Sequence, residues 1–144
     1  MVKKCKIIHQ TGDIDPTDWQ TFYKKLHIPA KTFDFNNNIA PLYQTTDIII
    51  CRSGAGTLFE TLFFQTPCIT IPLETKSTDH QLDNAKEMAE KHPNIFHLIR
   101  QHEIVKSIGT FSLAINELIL QNIKTRQNAN LLAKSSARQL EQAK

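Results

Sequence analysis

No apolar stretch in this 144-residue sequence approaches the roughly 20 residues that a membrane-spanning helix needs. The first residues, MVKKCKIIHQ, carry lysines but neither a long apolar region nor a small-residue cleavage site, which argues against a secretory signal. Cysteine is scarce. Cys5, Cys51 and Cys68 lie far apart with no paired spacing, which excludes a disulfide framework. Cys51 and Cys68 each sit in an apolar run and read as small core hydrophobes of a reducing compartment. The six histidines are dispersed, so no metal site and no cofactor is expected. Nor does one sign of charge dominate: the net +3 is spread among acids until the basic C-terminal stretch. Nucleic-acid-binding domains of this size carry a denser basic patch, so that partner class is not expected. Internal repeats and low-complexity linkers are absent too. A cytoplasmic setting is the resulting expectation.

What remains is an ordinary globular composition, 40% hydrophobic and 22% charged, in a chain long enough to bury one domain's core. Three isoleucine-rich runs, Cys5 to His9, Asp47 to Cys51 and Pro67 to Leu73, are too short for helices. The Asp47 to Cys51 run does not alternate, as in a parallel strand covered on both faces. Lys31 to Phe35 alternates and fits a strand nearer an edge, and Asn94 to Ile99 reads as a fifth strand. Helical spacing fills the gaps. Asp13 to Leu26 has acids and Pro16 at its start, Thr57 to Phe64 succeeds a glycine-containing turn, and Asp79 to Lys91 aligns Leu82, Ala85, Met88 and Ala89 on one face. Phe111 to Ile123 and Asn128 to Ala143 continue as helix. Alternating strands and helices predict an α/β fold, a parallel sheet of Rossmann-like type. We expect residues 1–125 to form that domain and residues 126–144 a solvated, basic C-terminal helix.

Chemistry concentrates at one turn. The strand ending at Cys51 runs into Arg52-Ser53-Gly54-Ala55-Gly56-Thr57 and then a helix, and such turns lie where open α/β sheets bind ligands. Two glycines permit close backbone approach, helix-start amides suit a phosphate, and the Ser53 and Thr57 hydroxyls are further donors. The turn is neither the dinucleotide fingerprint, because Phe59 occupies the third glycine position, nor a P-loop, because it lacks a succeeding Gly-Lys-Ser/Thr. A glycine turn is also a common structural device. Glu60, four residues after Gly56, lies on the same helical face; it either offsets the helix dipole or accepts hydrogen bonds from a ribose diol. Arg52 either adds positive charge or pairs with an acid. A second polar cluster, Glu74 to Gln81 and then Asn84, also leaves the carboxyl end of a strand. His80, Gln81 and Asn84 fit helix capping and sugar-hydroxyl recognition alike.

Taken together, HQTGD (His9 to Asp13), DIIICRSGAGTLFET (Asp47 to Thr61), the TPCITIPL strand and DHQLDNA (Asp79 to Ala85) resemble, in order and spacing, the C-terminal domain of the MurG family of glycosyltransferases. That family transfers N-acetylglucosamine from UDP-GlcNAc to the lipid-linked muramyl-pentapeptide of peptidoglycan. The resemblance spans residues 5–125 and is most specific between Cys51 and Ala85. It implies the C-terminal half of a two-domain, GT-B type transferase, with Ser53, Gly54, Ala55, Gly56 and Thr57 against the sugar-diphosphate. Glu60 would bind the uridine ribose, and His80 and Gln81 would face the N-acetylglucosamine with Asn84 in support. Phe35 to Ile39 falls where the family recognises uracil, although Asn36 stands where an apolar residue is usual. His80 departs from the glutamine of some members. The GAGT-x-x-E-T turn is also similar to the catalytic subunit of the eukaryotic two-component UDP-GlcNAc transferase that makes lipid-linked chitobiose.

Two family elements have no counterpart in the sequence: the N-terminal acceptor domain, which would supply the base, and the usual first strand with its Gly-Gly-Ser loop. The expectation is therefore a donor-binding domain that holds UDP-GlcNAc, is inactive alone, and works with an acceptor-binding domain or subunit. Such a partner would carry the lipid-linked acceptor and the only membrane contact, at the inner face of the plasma membrane. Two alternatives stay open: a genuine partner-dependent subunit, and a nucleotide-binding module without transfer chemistry.

Overall fold

In the computed structural model the first strand, β1 (Ile7–Gln10), pairs in parallel with β2 (Ala30–Phe33), Ile7 lying opposite Ala30 and Gln10 opposite Phe33. The structure describes residues 5–109, 111–122 and 124–125. They belong to two units, Met1–Pro41 and Leu42–Lys144. The sequence-predicted helix Asn128 to Ala143 and the basic tail lie outside the described residues.

In the first unit, α1 (Trp19–Lys25) makes the crossover between the two strands. It is shorter than the helix predicted from Asp13. Asp15 precedes Pro16, which biases it towards extended backbone, and its carboxylate accepts from the Thr17 amide at 2.9 Å and from Trp19 Nε1 at 2.8 Å. These bonds make a turn of the first residues, and the helix starts only where Asp18 caps it by accepting from Thr21 N at 2.9 Å. It ends at His27, whose φ of 55° is left-handed, with Pro29 just beyond. At the carboxyl end of β1, Thr11 Oγ1 donates to Asp34 Oδ1 at 3.2 Å, and Gly12 turns the chain with a φ of 73°.

The second unit is built on a three-stranded parallel sheet, β3 (Ile49–Cys51), β4 (Cys68–Thr70) and β5 (Phe96–Leu98), in the order β3-β4-β5. The register sets Cys51 opposite Thr70 and Thr70 opposite Leu98, so all three carboxyl ends reach one edge. Accompanying it are α2 (Ala40–Thr45), α3 (Ala55–Phe64), α4 (His80–Lys91) and α5 (Gln101–Lys106). The predicted helices after Gly54 and Asp79 are present. α2 and α5 were not predicted: each has six residues, too few for a clear 3.6-residue period. α2 carries Pro41 in its first turn, where no hydrogen-bonded amide is needed. α5 starts where Glu103 accepts from the Arg100 amide at 2.6 Å. Residues 111–122 are helical, as predicted, and Asn122 Nδ2 donates to the Asp47 carbonyl at 2.6 Å just before β3.

The core arises from the side-chain alternation of β4. Cys68 packs with Leu58, Ile95 and Phe96, against which Ile49, Leu62, Met88 and Ala89 close. Ile69, on the opposite face, is also fully buried. The predicted double-sided burial thus describes β4. It does not describe β3, whose Ile50 is 49% exposed; among the described residues β3 ends this sheet, with β4 beside it. Among the described residues no helix is long and apolar enough to cross a membrane.

Candidate functional site

The edge where the three strands end is the site's foundation. From Cys51 the chain passes through exposed Arg52 and fully buried Ser53 to Gly54, which caps α3. Gly54 lies at φ −66° and ψ 137° and offers no side-chain cap. The first intrahelical bond runs from Leu58 N to Gly54 O at 3.1 Å. Ala55, Gly56 and Thr57 therefore begin the helix with amides that have no carbonyl one turn back, at the positive end of the dipole. A Cβ at Gly54 or Gly56 would meet nothing within 4 Å, and neither has positive φ. Neither packing nor backbone geometry demands glycine there, and a glycine within a helix costs about 0.5–1 kcal/mol relative to alanine.

Ser53 does not offer its hydroxyl to that space. Its Oγ lies 2.7 Å from Thr70 Oγ1, and both residues are fully buried. The sequence-based expectation of a hydroxyl donor therefore gives way to an anchor: the register that sets Thr70 beside the end of β3 brings the two hydroxyls together. Among the described residues Arg52 forms no ion pair with an acid; its Nη1 donates to the Ile71 carbonyl at 3.3 Å and to Gln101 Oε1 at 3.5 Å. The guanidinium thus bridges the chain leaving β4 and the start of α5. Cys51 Sγ and Cys68 Sγ are 3.5 Å apart and both are free thiols. The hydrogen bond with Cys51, and then burial, push the Cys68 thiol above its ordinary range and keep it protonated.

Glu60 stands on the first turns of α3, exposed, with Oε2 accepting from the Tyr43 hydroxyl at 3.0 Å. Tyr43 comes from α2, is 7% exposed and stacks on Phe64 at 5.3 Å. Burial first, and then the negative Glu60, push the Tyr43 phenol above its ordinary range, so it remains a donor to the carboxylate. One carboxylate oxygen is thereby held and the group is oriented.

The second cluster is tied to the first. After β4 the chain makes a hydroxyl-rich turn in which Thr78 Oγ1 donates to Leu73 O at 2.5 Å. Asp79 caps α4 by accepting from the His80 amide at 2.9 Å. His80 is exposed at the helix start, while Gln81 is half-buried with Oε1 accepting from Leu73 N at 3.0 Å. One turn on, Asn84 Nδ2 donates to the Ser53 carbonyl at 3.3 Å. α4 and the glycine turn are joined by that bond. Glu74 is bound by the Arg100 guanidinium, whose Nε lies 3.1 Å from both carboxylate oxygens, and this pairing holds its carboxyl below the usual range. Sequence reasoning missed Thr70 and Tyr43. A single hydroxyl inside the buried TPCITIPL strand was the available signal for Thr70; Tyr43 lay in a helix too short to recognise. Among the described residues no three His, Cys, Asp or Glu side chains come together to hold a metal.

The model of the glycosyltransferase family 28 C-terminal domain matches residues 2–143. The chain belongs to this family. It is 35% identical over 135 residues to the UDP-N-acetylglucosamine--N-acetylmuramyl-(pentapeptide) pyrophosphoryl-undecaprenol N-acetylglucosamine transferase of Campylobacter jejuni strain RM1221, a match covering 94% of this chain and 38% of that protein. The protein of the same name from Pelagibacter ubique is 39% identical over 82 residues, covering 57% of this chain and 23% of its own length. Among solved structures, Acinetobacter baumannii MurG superposes with a TM-score of 0.65 at 26% identity, covering 88% of this chain and 38% of that one. The expected resemblance to the C-terminal domain of the MurG family is borne out, and so is its α/β fold with parallel strands, the Rossmann-like half of a GT-B glycosyltransferase. The chain spans less than two-fifths of the length of these relatives.

Proposed function

We propose that this family 28 C-terminal domain binds UDP-GlcNAc as the donor half of a MurG-like N-acetylglucosaminyl transfer to a lipid-linked acceptor of peptidoglycan synthesis. The observation that carries the reading is the Asn84 bond to the Ser53 carbonyl, which joins an anion-ready helix start to a second, sugar-suited polar cluster. A nucleoside diphosphate sugar needs both at once. The amides of Ala55 to Thr57 receive the diphosphate, with the glycines leaving room for its approach. Glu60, held by Tyr43, accepts from the ribose hydroxyls. His80, Gln81 and Asn84, at the head of α4, address the sugar hydroxyls.

In the transfer, negative charge grows on the departing UDP. Preorganised amides and the α3 dipole stabilise that charge without a metal ion. Activation of the acceptor hydroxyl falls to an acceptor-binding domain or subunit, which also provides the contact with the cytoplasmic membrane face. Titration of this chain with UDP-GlcNAc, UDP and ADP by calorimetry tests the reading. The expected result is weak, uridine-selective binding without transfer by the chain alone. No heat with millimolar UDP, or a preference for ADP, refutes it.

A further inference from the structure

Thr70 lies in the TPCITIPL strand and has no assigned part in ligand binding, yet its hydroxyl meets the first residue of the glycine turn. Its hydroxyl and that of Ser53 are 2.7 Å apart, both residues at 0% exposure. Burying two hydroxyls in a strand end that otherwise packs cysteines and isoleucines is unfavourable unless they satisfy each other. They do so at one point only, where β3 gives way to the turn. Ser53 is also held through its carbonyl by Asn84 Nδ2 at 3.3 Å. The residue before the helix cap is thus fixed from two sides: from β4 through its side chain and from α4 through its main chain. Beyond Ser53, Gly54 and the three free amides of α3 have no side-chain cap and two glycines to loosen them. Without the Ser53–Thr70 bond the residue leading into those amides keeps only its tie to Asn84.

We infer that Thr70 is a positioning residue for diphosphate recognition, acting through the Ser53 hydroxyl to aim the α3 amides. This rests on the donor-binding reading for its ligand arm but not for its structural one. The chemistry concerned is chiefly the diphosphate, because Glu60 is held by Tyr43 and the start of α4 by the Asp79 cap. Loss of the Thr70 hydroxyl should therefore weaken ligands in proportion to what they make of the diphosphate, and leave a bare nucleoside untouched.

The test uses the full chain with Thr70→Val, which keeps the shape, and Thr70→Ser, which restores the hydroxyl. Thr70→Val is expected to weaken UDP and UDP-GlcNAc about tenfold, the effect of one buried hydrogen bond lost. Uridine binding should change less than about twofold, and Thr70→Ser should return UDP to within about twofold of the native chain. In the absence of ligand, hydrogen exchange of the Leu58 amide, which donates to the Gly54 carbonyl at 3.1 Å, should quicken about tenfold in Thr70→Val and recover in Thr70→Ser. Ser53→Ala provides the same exchange phenotype if Thr70→Val does not fold, and the double variant should lose no more than either single one. Unchanged exchange at Leu58, or equal weakening of UDP and uridine, overturns the inference. A native chain that binds no UDP removes the donor reading instead, and the exchange result still decides the role of Thr70.

Discussion

Replacing Glu60 by alanine should abolish the protein's ability to distinguish a ribose from a deoxyribose. The Glu60 carboxylate is a charged acceptor with one oxygen bound to Tyr43 at 3.0 Å, which leaves the other for the proposed ribose contact. A hydrogen bond to a charged group contributes about 1.5–3 kcal/mol. Glu60 is exposed, which places the value near the lower end. At about 1.4 kcal/mol per factor of ten, the native chain should prefer UDP over 2′-deoxy-UDP by about tenfold. Glu60→Ala should bind the two alike, near the native affinity for the deoxy ligand. Glu60→Gln, which keeps an acceptor but not the charge, should fall between. Calorimetry or displacement of a fluorescent uridine nucleotide, at one fixed ionic strength, reads all six affinities. A Glu60→Ala chain that still prefers the ribose tenfold would show that the carboxylate merely offsets the α3 dipole, and the ribose assignment would be withdrawn.

The same geometry sets further outcomes. Gly54→Ser should cap the α3 amides with its own hydroxyl, raising stability by a few tenths of a kcal/mol while weakening UDP; urea unfolding and UDP titration check the opposed signs. Tyr43→Phe keeps the stack on Phe64 but removes the donor to Glu60, and should cost about 0.5–1.5 kcal/mol by urea unfolding. Because the Tyr43 phenol is raised in the folded state, its contribution should be complete below the unfolded value of about 10 and decline as pH rises above it; a decline below about pH 9 would contradict the assignment. Leu58→Ala, at 1% exposure in the cluster with Cys68 and Phe96, should lose about 2–5 kcal/mol. Phe63→Ser, on the same helix but 80% exposed, should change stability by less than about 0.5 kcal/mol.

The fold was legible where local pattern and tertiary burial agree. β4 is buried on both faces, so its run TPCITIPL is continuous and apolar and reads as a central strand without further information. β3 has the same appearance in sequence but is an edge of its sheet, because the pattern reports how apolar a strand is and not which strand lies beside it. The start of α1 was misplaced for a related reason. Acids and a proline mark a helix beginning, but Asp15 commits its carboxylate to Thr17 and Trp19, and the cap passes to Asp18. Helices as short as α2 and α5 are fixed by what they touch and by single capping bonds, which leave almost no periodic signal.

The candidate site was legible as a set of positions but not as a division of labour. Spacing alone brings Gly54 to Thr57, Glu60 and the head of α4 to one edge, because parallel strands deliver their loops to the same side. Spacing says nothing about which hydroxyl faces the ligand and which supports the loop. Ser53 reads as a donor in sequence and is an anchor in the structure, since its partner Thr70 is 17 residues away and meets it only through strand register. Tyr43 is likewise 17 residues from Glu60. Both partners lie outside the glycine turn and its helix, Thr70 fixing Ser53 and Tyr43 fixing Glu60. A glycine turn with free amides is by itself a frequent and unspecific device. What sets this turn apart, and supports the proposed diphosphate site, is that the residue leading into it is fixed by a buried hydroxyl on one side and a carboxamide on the other.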